Sequence, residues 1–247
     1  MYLLKNCDVI RMRRRTLLVV SLTALVMSAT LLFLDAPAAD SKRVPPSMEF
    51  EKMPHRNMLV ANVTFVAFDT ETTGFSPTGD RIIEIGAVKF RNGKILAEKS
   101  WLINPGRWIP PWVIDVHGIT NEDVKNKPSF KEIYPGFMEF VQGSVLMAHN
   151  ARFDISFMAE EIRRAELPML NNLVVDSLPL FRKWFPAARS YTLSEVAHYT
   201  EVDTGVLHRA LADTVYVVLI FEKGLSKRVD QLRLGELYRE SGGAMSF

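Results

Sequence analysis

Residues 63–74 read VTFVAFDTETTG, a run of β-favouring residues that ends in two carboxylates. Asp69 and Glu71 are two positions apart, so the period of a β-strand places both side chains on one face. Carboxylate oxygens are the ligands that hard cations such as Mg²⁺ and Mn²⁺ prefer. The alternative is a pair of solvated acids at a strand end. The hydroxyls and the glycine of residues 72–74 favour a ligand site, because glycine lets backbone N–H groups approach a ligand closely.

Two later stretches carry the other candidate residues. Asp154 follows the apolar run 144–148 at the expected start of a helix, where it is either a third metal ligand or an acid favoured by the helix dipole. Asp213 lies among apolar residues of a long predicted helix, where a carboxylate is costly unless it is paired or bound to metal. His208 is a candidate base for a water molecule, although a lone histidine is more often a surface or satisfied residue.

The apolar pattern predicts a single α/β domain with a mixed sheet covered by helices. The hairpin signal Asn92-Gly93 joins the second and third strands. We expect strands at 63–69, 81–90, 94–103, 144–148 and 173–176, a loop at 105–112, and helices at 129–141, 155–165, 177–185, 193–199 and 209–225.

Taken together, these stretches resemble the DEDDh 3′–5′ exonucleases, the family of the proofreading epsilon subunit of DNA polymerase III, ribonuclease T and oligoribonuclease. The similarity covers about residues 64–219, and His rather than Tyr at position 208 assigns the h branch. Its pieces follow the order of the family: FDTETTG at 68–74, NP at 104–105, VHGIT at 116–120, HNARFD at 149–154, LSEVA at 193–197 and HRALADT at 208–214.

The resemblance implies a ribonuclease H-like fold with a mixed five-stranded sheet and two divalent cations, Mg²⁺ or Mn²⁺, at the catalytic site. Asp69 would bridge the ions, Glu71 and Asp213 would complete the site that holds the nucleophilic water, and Asp154 would serve the second ion. His208 would deprotonate the water. Substrate contacts are expected from a further set of residues on the same motifs: Thr70, Thr72, Thr73, Gly74, His117, Asn150 and Phe153.

The implied reaction is hydrolysis of single-stranded nucleic acid from its 3′ end to nucleoside 5′-monophosphates. DNA is the favoured substrate, with an oligoribonuclease-like activity on RNA as the alternative, because no identified residue reads the 2′-hydroxyl. A non-catalytic nucleic-acid-binding module is the rival from another class, and the intact set of five site residues argues against it.

The charge distribution limits how such a protein binds nucleic acid. The net charge is +2 over the whole chain, but acidic residues slightly outnumber basic ones from Met58 onward. A protein that grips duplex DNA along its length usually has a basic face. We therefore do not predict extended non-specific binding, and bound metal would supply most of the positive charge at the site.

The N-terminal segment predicts a membrane association. Residues 16–34 form an uncharged apolar run behind an arginine cluster, and about 20 apolar residues suffice to cross a bilayer. We expect a single-pass membrane protein with a cytoplasmic N-terminus and an extracytoplasmic domain. The alternatives are a signal peptide, giving a secreted or periplasmic enzyme, or a misassigned start codon at Met48, Met53 or Met58, giving a cytoplasmic one.

The predicted organisation has four parts. Residues 1–35 hold the basic N-terminus and the hydrophobic helix, 36–57 a flexible tether, 58–228 the exonuclease domain, and 229–247 a C-terminal helix and tail. The three tryptophans Trp101, Trp108 and Trp112 are expected to pack rather than to stack on bases. The ending Met-Ser-Phe at 245–247 lacks the glutamine of a sliding-clamp peptide, so neither a polymerase nor a clamp partner is supported.

Overall fold

Five strands form one mixed sheet in the order β3-β2-β1-β4-β5. They are β1 Phe65–Thr72, β2 Ile82–Arg91, β3 Lys94–Leu102, β4 Val145–Ala148 and β5 Val174–Asp176. The computed structural model describes residues 53–203, 205, 208–228 and 231–247. β1 pairs antiparallel with β2 and parallel with β4. Asn92 and Gly93 have positive φ angles of 49° and 72°, as the tight turn between β2 and β3 requires.

Eight α-helices accompany the sheet in the described residues. They are α1 Pro111–His117, α2 Asn121–Val124, α3 Phe130–Val141, α4 Arg152–Arg164, α5 Ser177–Trp184, α6 Leu193–Tyr199, α7 Ala210–Ser226 and α8 Leu234–Glu240. The sheet flanked by helices confirms the fold class predicted from the sequence. Its hydrophobic N-terminal helix lies outside the described residues.

Side-chain alternation along β1 divides the core into two layers. Phe65 and Ala67 pack into one apolar cluster with residues of α5, α6, α7 and α8. Val66 and Phe68 pack into the other with residues of α3 and α4. The strand therefore presents alternate side chains to α7 and to α4, and this alternation continues into its acidic end.

The structure differs from the predicted elements at three places that bear on the acidic residues and their surroundings. β1 runs past Asp69 to Thr72, so the acidic pair lies within the strand. α4 begins at Arg152 and not at 155, which puts Asp154 in its first turn. Helix α1 starts at Pro111, inside the segment that was predicted as a loop. Proline is tolerated at the first helical position because an N–H there would have no acceptor within the helix.

The predicted localisation as a single-pass membrane protein is wrong on the present findings. No helix in the part of the chain that the structure describes is long and apolar enough to span a bilayer. The segment on which the prediction rested, 16–34, lies outside that part. A membrane partner is likewise unsupported.

The C-terminal tail is part of the folded protein. Backbone N–H and C=O groups of Met245 exchange hydrogen bonds of 2.9 Å with those of Val174 on β5. The Phe247 ring lies 6.3 Å from that of Phe68. Met245 and Phe247 thus make contacts within the folded chain.

Candidate active site

Three carboxylates converge at the acidic end of β1. One oxygen each from Asp69, Glu71 and Asp213 lies within 4.8 Å of the other two. The alternation of β1 explains the first two, since Asp69 and Glu71 point to the same side as Ala67, towards α7. Asp213 lies in the first turn of α7. The sequence separates it from Asp69 by more than 140 positions, and the helix on that face of the sheet brings them together.

The electrostatics of the cluster are unfavourable in the absence of a cation. Burial, followed by repulsion from Asp154 and Glu71, raises the pKa of Asp69 well above its ordinary value. Burial and repulsion from Asp213 and Glu84 raise the pKa of Glu71 to about 8. Burial also raises the pKa of Asp213 to about 6, although the charge of His208 opposes this. Like charges held this close favour either protonation or a counter-ion.

The donor set fits a hard divalent cation. All the ligand atoms are carboxylate oxygens, which suit Mg²⁺ and Mn²⁺. In addition, Asp213 Oδ1 is buried and has no hydrogen-bond partner among the described residues. A buried carboxylate oxygen without a partner is costly unless something outside the protein satisfies it. The residues present therefore fit a metal site.

Asp154 lies on the opposite side of β1 from Asp213. Its Oδ1 accepts hydrogen bonds from Thr70 N at 3.0 Å and from Thr70 Oγ1 at 2.8 Å. Thr70 is on the α4 side of the strand by the same alternation that turns Asp69 towards α7. Burial raises the pKa of Asp154 to about 7, against the lowering effect of these bonds. Asp154 therefore adjoins the three-carboxylate cluster without belonging to it.

His208 lies at the entrance to α7, with its side chain exposed. Its φ of 62° is in the left-handed region, and its backbone N–H donates to Asp213 Oδ2 at 3.1 Å. A non-glycine residue in this region is under local strain, and such strain is often found at functional sites. The contact fixes the start of the helix beside Asp213.

Glu84 is a further acidic residue that the sequence did not single out. It is 1% exposed on β2, directly opposite Glu71 in the strand register. Its oxygens accept from Arg209 Nη2 at 2.9 Å and Arg209 Nε at 3.2 Å, and from the Ala210 N–H at 3.2 Å. Ser100 Oγ donates a fourth bond at 2.8 Å. Glu84 thus ties the first residues of α7 to the sheet.

Gly86 of β2 has no side chain and so allows the backbone of α7 to lie directly against the sheet. It pairs with Asp69 in the strand register. A Cβ at this position would lie 2.2 Å from the Ala210 carbonyl carbon and 2.2 Å from Leu211 N. Only a residue without a side chain leaves room for the backbone of α7 beside Asp69.

Three of the predicted substrate-contact residues, Thr72 at the end of β1, Thr73 and His117 of α1, take part in hydrogen bonds within the protein. Thr72 Oγ1 donates to the carbonyl of Gly74 at 2.6 Å, and Thr73 Oγ1 to Asp80 Oδ1 at 3.2 Å. His117 is buried, and burial lowers its pKa. Its Nδ1 accepts from the Ile119 N–H at 3.0 Å, and its Nε2 has no hydrogen-bond partner among the described residues.

The two predicted contact residues beyond β4 take different positions. Asn150 has a φ of 62°, and its N–H donates to Asp176 Oδ1 at 3.0 Å, so it turns the chain into α4. Phe153 is half-buried, with its ring 4.8 Å from that of Phe157. Contacts of these two residues with a substrate stay a prediction.

The tryptophans divide into two kinds. Trp101 is buried and packs edge-to-face on Phe137, with ring centroids 5.6 Å apart. Trp108 and Trp112 are 68% and 49% exposed. Trp101 therefore has the expected packing role, whereas Trp108 and Trp112 are exposed.

Comparison with known proteins places this geometry among nucleases. The family model described as Exonuclease, RNase_T, matches residues 66–221. The DNA polymerase III subunit epsilon of Treponema pallidum (strain Nichols) is 39% identical over 172 residues, which cover 69% of this chain and 80% of that protein.

A second relative and a solved structure extend the comparison. The PolC-type DNA polymerase III of Caldanaerobacter subterraneus subsp. tengcongensis is 40% identical over 163 residues, 66% of this chain. The chain spans only 12% of that protein's length. The structure of exonuclease X in complex with 5′-overhanging duplex DNA superimposes with a TM-score of 0.54 and 27% identity, and covers 70% of this chain and 98% of that one.

Proposed function

This chain belongs to the RNase_T exonuclease family, and we propose that it is a 3′–5′ exonuclease of the DEDDh type that removes nucleotides from the 3′ end of single-stranded nucleic acid. The products would be nucleoside 5′-monophosphates, and DNA is the favoured substrate. In this proposal the four acidic residues Asp69, Glu71, Asp154 and Asp213 would hold two divalent cations, Mg²⁺ or Mn²⁺.

One observation carries the proposal. One oxygen each of Asp69, Glu71 and Asp213 lies within 4.8 Å of the other two, and Asp213 Oδ1 is buried without a hydrogen-bond partner among the residues that the structure describes. Such a cluster would destabilise the folded chain unless its carboxyl groups were protonated or a cation occupied it, so its presence supports a metal-dependent reaction.

The roles of the residues follow from their placement. Asp69, Glu71 and Asp213 would hold one cation, and Asp154, on the α4 side of Asp69, would serve the other. When bound, the cations lower the pKa of water and stabilise charge on the reacting phosphate. His208, exposed beside Asp213, would take the proton from the attacking water. The backbone at 72–74 and His117 would position the terminal nucleotide.

The experiment is a product analysis on short strands labelled at the 5′ end. Purified protein with Mg²⁺ or Mn²⁺ should shorten the strand one nucleotide at a time from the 3′ end and release nucleoside 5′-monophosphates, and EDTA should stop the reaction. If no mononucleotide appears from any single strand with either metal, the chain is a binding module and the proposal fails.

The preference for DNA needs its own test, since it is supported by the relatives and not by a contact in the site. One relative is named as a PolC-type DNA polymerase III and the other as a DNA polymerase III subunit epsilon. DNA and RNA strands of the same sequence should be degraded in separate reactions under identical conditions. A faster rate on RNA would overturn the preference for DNA and leave the exonuclease assignment in place.

A further inference from the structure

The segments on either side of the family match pair with each other. The family model covers residues 66–221, and the segment before it runs antiparallel to a segment after it. Gly235 N donates to the Arg56 carbonyl oxygen at 2.8 Å, and Val60 N donates to the Leu232 carbonyl oxygen at 2.9 Å. These two segments therefore form a structure of their own, outside the part of the chain that resembles the exonucleases.

A pocket of about 470 Å³ is lined by residues of both segments. Its volume falls within the range of about 300–1,000 Å³ that is typical of ligand sites. The charged residues that line it are Arg56, Arg233, Arg239 and Glu236. Three guanidinium groups and one carboxylate leave an excess of two positive charges. We call it the arginine pocket, and its charge suits a doubly charged anion.

The arginines of this pocket are not fully neutralised by the protein. Arg233 Nη1 donates to the carbonyl oxygen of Asn57 at 2.6 Å, which holds the side chain without cancelling its charge. Within the described part of the chain, only Arg239 of the three has an acidic partner, Glu236, at 3.8 Å between Nη2 and Oε1. Guanidinium groups bind phosphate oxygens through paired N–H donors. Arg56 and Arg233 therefore have the charge and the donors that such a ligand requires.

The hydroxyl of Tyr238 adds a buried polar group to the arginine pocket. Tyr238 lines the pocket and is 3% exposed, and its hydroxyl oxygen has no hydrogen-bond partner among the described residues. The Arg56 guanidinium lies 5.8 Å from the centre of its ring. Burial raises the pKa of Tyr238 to about 12, although the charge of Arg56 opposes this, so the hydroxyl stays protonated. A buried hydroxyl without a partner is costly, and an acceptor bound beside Arg56 would remove that cost.

The arginine pocket lies at the end of the sheet opposite to the carboxylates. Its first segment leads into β1 at Phe65, whereas Asp69 lies in the second half of that strand. Ala244, which also lines the pocket, directly precedes Met245, and Met245 pairs with Val174 at the start of β5. Because β1 and β5 run in the same direction through β4, both start at this end. A ligand in the arginine pocket would therefore not contact the acidic cluster.

We propose that the arginine pocket binds the phosphate group of a phosphate monoester. Such a group carries a charge of about −1.5 to −2 at pH 7 and three strong acceptor oxygens, which match the excess charge of the pocket and the donors of its arginines and of Tyr238. Two sources offer this chemistry, a free nucleoside monophosphate and the 5′-terminal phosphate of a strand. The site goes beyond the proposed exonuclease function and does not depend on it.

The test is isothermal titration calorimetry of the full chain in EDTA, with inorganic phosphate and thymidine 5′-monophosphate as probes. Without metal the carboxylates repel an anion, so binding reports on the arginine pocket. Arg56→Ala and Tyr238→Phe should each raise the Kd by about 10- to 100-fold, because a hydrogen bond to a charged group is lost, and Arg56→Lys should restore part of the affinity. Arg91→Ala is the matched control, because Arg91 is an exposed arginine of β2 outside the pocket, and its Kd should equal that of the wild type.

Unfolding measurements separate binding from a structural role. Tyr238→Phe removes a hydroxyl that has no partner among the described residues, so the free energy of unfolding without phosphate should not fall. The stabilisation that phosphate gives the wild type should be largely lost in this variant. A variant that is less stable without phosphate would show that the hydroxyl serves the fold, and this would count against its role in the pocket.

Strand ends distinguish the two sources of the phosphate. Fluorescence anisotropy in EDTA compares a DNA strand that carries a 5′-phosphate with the same strand ending in a 5′-hydroxyl. Tighter binding of the phosphorylated strand, lost in Arg56→Ala, would assign the pocket to strand ends. Equal binding of the two strands, together with binding of thymidine 5′-monophosphate, would assign it to the free monoester.

Two results would overturn the arginine pocket as a phosphate site. One is that neither inorganic phosphate nor thymidine 5′-monophosphate binds the wild type at concentrations up to about 10 mM. The other is that both ligands bind Arg56→Ala and Tyr238→Phe with the Kd of the wild type. Absence of mononucleotide release would overturn the proposed function, and the titration would still decide the pocket.

Discussion

The burial of the acidic cluster, together with the repulsion within it, should make the metal-free protein less stable as the pH rises. Burial and the neighbouring acids raise the pKa of Glu71 from 4.5 to about 8. Between these values the folded protein keeps a proton on Glu71 that the unfolded chain has released. The stability associated with this proton is fully present below pH 4.5 and is lost as the pH rises through about 8.

The magnitude follows from the two pKa values. They differ by about 3.5 pH units, and each unit corresponds to about 1.4 kcal/mol, so the free energy of unfolding should fall by up to about 5 kcal/mol from this group. A cation in the cluster removes the penalty. At 100 times its Kd, Mg²⁺ should stabilise the fold by about 2.7 kcal/mol, and protons should weaken its binding at pH 5.

The assay is guanidinium unfolding followed by far-UV circular dichroism at pH 5, 6, 7 and 8, in EDTA and in Mg²⁺. Glu71→Gln should flatten the pH dependence in EDTA and abolish most of the stabilisation by Mg²⁺. Glu98→Gln, an exposed acid on β3, is the matched control and should keep the wild-type slope. Equal slopes for wild type and Glu71→Gln in EDTA, together with no effect of Mg²⁺, would refute the reasoning.

Three further substitutions test the site. Asp69→Asn should abolish mononucleotide release while the circular dichroism spectrum is unchanged, and appreciable release by this variant would count against a metal role for Asp69. Gly86→Ala should lower the free energy of unfolding by about 1–3 kcal/mol, because its Cβ would meet the α7 backbone at 2.2 Å. Gly136→Ala, with its nearest neighbours at 3.9 Å, is the control and should show no loss. Glu84→Gln should lower the free energy of unfolding by about 3 kcal/mol, because the buried acceptor of Arg209 and of the Ala210 N–H loses its charge. An unchanged midpoint in chemical unfolding would show that Glu84 does not anchor α7.

The strand pattern made much of the sheet predictable. Alternating β-favouring residues and the Asn92-Gly93 turn located β1, β2 and β3 to within two or three residues, because a two-residue turn and a period of two are local properties. The sequence does not predict the helix that begins at Pro111, because proline indicates a loop unless the position of the first helical turn is already known.

The partner of Glu84 is a feature that no local pattern in the sequence predicts. A single carboxylate in the run IIEIGAV is a signal that a buried partner exists, since an unpaired buried charge is costly. The partner is Arg209, 125 positions away. No spacing rule connects two residues so far apart, because only the packing of α7 on β2 places them together.

The sequence by itself determined which residues are acidic and on which face of β1 each lies, because side-chain direction in a strand follows from position alone. Tertiary structure decided which of these acids meet. Asp213 joins Asp69 and Glu71 because α7 lies on their face of the sheet, with Gly86 leaving room for its backbone, whereas Asp154 approaches on the α4 side through Thr70. Convergence depends on how helices pack across the sheet, and that packing is set by contacts between residues far apart in the chain.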